Sequence, residues 1–209
     1  MTIFDRIILL LTGLTAIYLL WYFYARYQKG KALHDIYYML GFGVLLVSGL
    51  LLIFFGWDIL ASPYVLTVAT LIPLGISMGL MNQFRPQYKK AYSWFALVGL
   101  LAIAVTSILE LSLKSVAVPV FHGVAGLIIF GLPLYKCIFE KDAPKGFGMV
   151  GIGGALIGIG GMALAFMIAG KPLFGIFTQD FILMILAPLL FLMTLAFTFG
   201  FRKDIGSIK

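Results

Sequence analysis

Apolar residues in this chain neither alternate with polar ones nor keep to one stripe of a helix; they run on and then break off at short polar interruptions. A helix needs about 20 such residues in a row to cross the hydrocarbon core of a bilayer. Seven runs satisfy this, at about 7–25, 36–56, 64–83, 92–113, 117–136, 147–169 and 180–201. The connections between them are short. The pattern therefore predicts an all-α, polytopic membrane protein in which residues 1–209 form a single seven-helix transmembrane domain. The first run ends in Trp21-Tyr22-Phe23-Tyr24 rather than in a small-residue cleavage site, so it reads as a retained helix and not a signal peptide.

Composition narrows the classes. With 62% hydrophobic residues, 11% charged and a mean hydropathy of +1.09, the chain is no ordinary soluble domain and no disordered one. A lone Cys137 and two histidines provide neither an internal disulfide nor a zinc cluster. The net charge of +7 lies in the gaps between apolar runs, which makes the lipid bilayer the expected partner and not a nucleic acid. Lys and Arg mark cytoplasmic loops. With the N-terminus outside and the C-terminus cytoplasmic, only Arg6, Lys114 and Lys171 of the 15 basic residues fall on the outer side. Tyr22, Tyr24, Tyr37, Tyr38, Tyr92, Trp94 and Tyr135 then sit near inner span ends, and Trp57 and Tyr64 near outer ones, as an aromatic belt would. Short loops in a multi-pass chain suggest a prokaryotic plasma membrane.

Self-similarity suggests a duplication. At an offset of 110, Gly13, Arg26, Lys31, Gly41, Gly43 and Leu46 meet Gly123, Lys136, Lys141, Gly151, Gly153 and Leu156. At 115, Leu71-Ile72-Pro73-Leu74 meets Leu186-Ala187-Pro188-Leu189. The expectation is a 3+1+3 parallel repeat, 1–90 and 117–209, joined by a linker helix at 91–116, with Pro73 and Pro188 as matching hinges. The helix at 147–169 is crowded with glycine. Gly154 and Gly158, followed by Gly161, Ala165 and Ala169, form a small-residue face on which another helix could approach closely, within the chain or in a homo- or hetero-oligomer. Its Gly158-x-Gly160-x-x-Ala163 matches a dinucleotide fingerprint in letters only, since that motif requires a preceding strand.

Chemistry is sparse. Asp5, Asp58, Glu110 and Asp180 fall near outer span ends and Asp35, Glu140, Asp142 and Asp204 near inner ones, which argues against a proton relay at mid-membrane. Glu110 and Lys114, four apart, are expected to share a helix face. His122 lies about a turn inside the fifth span. Two readings stay open: Glu110 and His122 line an outward vestibule where the imidazole holds a ligand, metal or haem iron, or Glu110 pairs with Lys114 and His122 bonds a neighbouring helix. His34 and Asp35 are expected to cap the second span. A bis-histidine haem within the chain is disfavoured because His34 and His122 belong to opposite faces. Seven spans with an outer N-terminus resemble microbial rhodopsins, but residues 181–201 hold no lysine for covalent retinal. The layout is also similar to the sugar-efflux and PQ-loop transporters, in topology alone: Pro86-Gln87 lies in a basic loop, and the mid-span prolines fall in spans three and seven. No catalytic motif calls for an enzyme.

Two functions fit. One is small-molecule binding or transport between two three-helix units, with Thr12, Thr15, Thr67, Thr70, Ser77, Thr106, Ser107 and Thr194 lining a site. The other is a non-catalytic membrane subunit that packs against partner proteins or holds lipid, quinone or haem. A continuous polar path between the units would favour the first.

Overall fold

The computed structural model describes residues 1–144, 146–168 and 178–202, with side chains in the second segment as far as Leu164. Lys145, Lys171, Lys203, Asp204 and Lys209 lie outside these residues, as do the side chains of Ala165 and Ala169. The described residues are helical, with no strand: α1 (Ile3–Gly30), α2 (Leu33–Phe55), α3 (Pro63–Ala69), α4 (Leu71–Phe84), α5 (Lys89–Ile108), α6 (Lys114–Tyr135), α7 (Gly148–Ile168) and α8 (Gln179–Arg202). Among the described residues, six stretches are long and apolar enough to cross a membrane: Ile3–Gly30, Leu33–Phe55, Pro63–Phe84, Pro86–Ile108, Lys114–Glu140 and Gln179–Arg202. The expected seventh, at 147–169, runs past the described side chains, and Gly148–Leu164 is a shorter apolar helix.

Helix ends explain where the predicted spans shift. α1 starts four residues before the predicted span because Thr2 and Asp5 form a capping box: Thr2 N–H donates to the Asp5 carboxylate at 2.7 Å and Asp5 N–H to the Thr2 hydroxyl at 3.2 Å. The third span is two helices. Pro73 has no N–H to give the Ala69 carbonyl and its ring crowds that oxygen, so α3 ends at Ala69 and α4 resumes at Leu71. α8, by contrast, continues through Pro188. α5 stops at Ile108 rather than near 113, because Glu110 adopts φ 51° and closes the end with two bonds, Leu111 N–H to the Thr106 carbonyl and Glu110 N–H to that of Ser107.

The helices pack in a ring in the order α1, α2, α4, α6, α7, α8 and back to α1, with α5 outside it against α3, α4 and α6. Glycines set the closest crossings. A Cβ on Gly154 would lie 2.5 Å from the Ile129 carbonyl carbon and the Phe130 nitrogen, and one on Gly75 would lie 2.9 Å from the Gly41 nitrogen. Backbone therefore meets backbone at α6–α7 and at α2–α4. Pro133 contributes to the first crossing, since it leaves the Ile129 carbonyl without its helical donor and Gly154 brings α7 against that peptide unit. Of the expected small-residue face, Gly154 and Gly158 meet the α6 backbone and Gly161 meets His122 of the same helix, while Gly151 also faces α6 and Gly153 and Gly160 face α8. Of the pairs matched at an offset of 110, Gly41 faces α4, which comes later in the chain than its own helix, whereas Gly151 faces α6, which comes earlier than its own.

One end of the bundle is packed with rings. Phe23 stacks on Tyr38 at 4.7 Å, Phe201 meets both at 5.1 and 4.9 Å, Phe42 meets Phe197 at 5.7 Å and Phe84 meets Phe147 at 5.1 Å. Ion pairs close the same end. Arg26 Nε donates to Asp35 at 2.5 Å and its guanidinium lies over the Phe23 and Tyr38 rings. Lys136 reaches Glu140 and Asp142, each at 2.6 Å, and Arg85 pairs with Glu140. That bond holds the Arg85 guanidinium above its usual range. Asp35 and Lys136 are buried, and α2 is capped by neither His34 nor Asp35: its N-cap, Ala32, makes no side-chain bond. Tyr38 and Tyr92, expected in an interfacial belt, are buried too, with hydroxyls donating to Gln83 at 3.0 Å and to Ser77 at 2.7 Å. Tyr24, Tyr64, Trp94 and Tyr135 do face outward.

Two stability predictions follow from these contacts. Gly154→Ala forces a Cβ into the α6 backbone and is expected to cost roughly 1–3 kcal/mol, whereas Gly158→Ala, whose Cβ meets nothing nearer than 3.7 Å, stays close to wild type. Thermal unfolding of the two variants in one detergent compares them directly. Asp35→Asn leaves the Arg26 charge buried without its partner and is expected to cost roughly 3–5 kcal/mol, while Arg26→Met combined with Asp35→Leu recovers most of that loss. A double variant no more stable than Asp35→Asn alone would contradict that account.

Candidate functional site

Between the aromatic end and the opposite side of the bundle lies a cavity of about 110 Å3. Leu45 of α2, Ala69, Ile72 and Pro73 at the α3/α4 break, His122 of α6, Ile157, Gly160 and Gly161 of α7, and Leu186, Leu189, Leu190 and Met193 of α8 form its wall. The space exists for local reasons. Without side chains, Gly160 leaves room for Leu189, whose Cδ2 would be 2.9 Å from a Cβ there, and Gly161 leaves room for the imidazole, whose Cδ2 would be 3.3 Å away.

Among the described residues, His122 is the only polar side chain in that wall. Its Nδ1 is 3.2 Å from the Val118 carbonyl oxygen one turn back. A carbonyl can only accept, so Nδ1 carries the hydrogen, and a neutral ring then has its free lone pair on Nε2. The Cδ2 edge, which carries Nε2, faces Gly161. The site thus offers one hydrogen-bond acceptor in apolar surroundings. Water needs two to four polar partners, so a chamber of this size with a single one suits an apolar molecule better; a cavity of ~150 Å3 is known to take up benzene. It has room for about one ring and not for a macrocycle.

The other residues expected to form a site do not gather here. Glu110 is exposed in the α5/α6 turn, and its left-handed backbone takes it off the helix face it was expected to share with Lys114; among the described residues neither forms an ion pair. The hydroxyls are bonded locally. Thr12, Thr67, Thr70 and Thr106 donate to the carbonyls of Ile8, Pro63, Leu66 and Ala102 at 2.7–2.9 Å. Ser77 donates to the Pro73 carbonyl at 2.7 Å while accepting from Tyr92, and Thr15 and Thr194 share a bond of 2.9 Å between α1 and α8. Buried Ser107 has no partner for its hydroxyl, but it does not line the cavity. Of the two prolines expected to act as hinges, Pro73 contributes to the wall and Pro188 does not. His34 sits at the opposite, basic end beside Asp35. No group of three His, Cys, Asp or Glu that could hold a metal occurs among the described residues. Leu45, Ile72 and Met193 belong both to the cavity wall and to the aromatic core, so its floor is apolar packing and no polar path leads on to the basic end among the described residues.

Comparison of the chain with known protein families, with curated proteins and with solved structures gives no match. Several long apolar helices are compatible with an integral membrane protein, and the remaining functional argument rests on the cavity.

Proposed function

We propose that this is a seven-span membrane protein, N-terminus outside, that binds a small and mainly apolar molecule between two three-helix units, with His122 as its polar anchor. The observation that carries the reading is the single imidazole in the wall of an otherwise apolar cavity at the junction of α2, α4, α6, α7 and α8. The packing order supports the two units, because exchanging α1 with α6, α2 with α7 and α4 with α8 carries the ring of helices into itself. The basic residues at the aromatic end support a cytoplasmic assignment for that end.

The free nitrogen is an acceptor, so the ligand class is an apolar ring or short chain bearing one hydroxyl or N–H. Continuous aromatic packing below the cavity favours holding such a molecule over moving it across. This brings the protein close to a non-catalytic membrane subunit that retains an apolar cofactor or lipid-soluble metabolite.

Phenol and toluene, alike in size and different in the donor, test the reading by ligand-observed NMR on the purified protein. Phenol is expected to bind more tightly by about fivefold, the worth of one net hydrogen bond, and His122→Phe to abolish the difference. Gly161→Leu, which fills the chamber and retains the imidazole while crowding it from 3.3 Å, should abolish binding of both. Equal binding of the two compounds to wild type and His122→Phe would refute the anchor; binding undiminished in Gly161→Leu would refute the cavity. Orientation is checked separately by labelling single cysteines in a Cys137→Ser background: Thr2→Cys is expected to react from outside the cell and Lys209→Cys only after permeabilisation.

A further inference from the structure

We propose that a second site, a groove between α2, α4 and α5 at the basic end, holds the headgroup of an anionic phospholipid. The groove has a volume of about 320 Å3. Lys89 and Lys90, the first residues of α5, form one wall and are exposed. Among the described residues neither has a carboxylate partner, although Arg26, Arg85 and Lys136 at the same end are all paired with acids. The helix start adds to the imbalance. The N-terminus of a helix is itself positive, yet α5 has no acidic residue in its first turn and no side-chain cap, so two ammonium groups and the helix dipole share one depression with no counter-charge. A phosphate is the complement.

Two further features distinguish a lipid from a free anion. Tyr37, Asn82 and Ser93 also line the groove, and among the described residues their side chains make no hydrogen bond, which leaves donors for the remaining phosphate and glycerol oxygens. Lys90, Trp94 and Leu97 follow one another at helical spacing along a single face of α5, so the lining changes from charged to aromatic to aliphatic along the helix. Trp94 is 67% exposed and Leu97 44%. This is the sequence of environments met by a phospholipid from headgroup to acyl chain, and basic pockets between transmembrane helices are suited to such headgroups.

The test uses the full chain in neutral detergent, stripped of lipid, with native mass spectrometry and thermal shift on adding phosphatidylglycerol, phosphatidylcholine or inorganic phosphate. Phosphatidylglycerol is expected to bind and raise the unfolding temperature where the other two do not. Lys89→Gln with Lys90→Gln should weaken it about tenfold or more, each lysine near an anionic lipid being worth roughly fivefold. Lys29→Gln with Arg202→Gln removes the same charge elsewhere and should leave affinity within about twofold. Ser93→Trp, which obstructs the groove and keeps both lysines, should also lose the lipid. Equal losses in the two charge-removal variants, undiminished binding in Ser93→Trp, or inorganic phosphate matching the lipid would each overturn the proposal. Because no arm involves His122 or Gly161, the outcome is independent of the ligand in the central cavity.

Discussion

Inside a bilayer one apolar helix gains no hydrophobic free energy by touching another, because lipid tails are as apolar as leucine. Close van der Waals contact and satisfied polar groups must hold the helices together instead. In a chain whose long apolar helices are compatible with a membrane, that constraint fits the use of glycine. The crossings at Gly154 on Ile129 and at Gly75 on Gly41 bring backbones to a distance no side chain would permit, and along the ring only the contact of α4 with α6 separates these two pairings. A proline strengthens one of them by freeing the carbonyl that the glycine approaches.

The same constraint determines what polar groups do. A hydroxyl in an apolar medium is costly unless bonded, and the cheapest partner is a carbonyl one turn back on the same helix. Thr12, Thr67, Thr70, Ser77 and Thr106 all take it, which uses the one hydrogen each hydroxyl could donate to a ligand. His122 follows the rule with Nδ1 and departs from it with Nε2, because an imidazole has two nitrogens and the back-bond uses only one. The residue stands out for this asymmetry, not for its charge.

Much of the architecture was legible in the pattern of apolar runs, since length and hydropathy alone separate spans from loops. Helix ends were less so, for reasons visible in particular residues. Thr2 and Asp5 form a capping box that a hydropathy window passes over, and Glu110 in a left-handed turn ends α5 where composition would continue it. The basic residues were legible as a group but not as partners: the burial of Asp35 and Lys136 depends on which helices meet, and nothing local in the chain specifies that. His122 stood out as a lone intraspan imidazole. Its cavity did not, because Gly160 and Gly161 read as packing residues until Leu189 and the imidazole are seen to occupy the room they leave.

Burial differs between the two ends, and this bears on how the proposed ligand would reach His122. At the basic end, rings from α1, α2, α4 and α8 fill the interior, an ion pair joins α1 to α2, and another joins the α4/α5 connection to the α6/α7 one. At the other end, α3 has no buried residue and the short helix before it, Trp57–Ala61, has none either. α3 is joined to α4 at the break imposed by Pro73, where the helical bond that would stiffen the junction is missing, and its last residue, Ala69, belongs to the cavity wall. An element with few buried contacts opens at low free-energy cost, whereas displacing the aromatic end would disrupt most of the core. Entry beside α3 is therefore the less costly route to the imidazole, and it is one that an apolar ligand could take from within the bilayer.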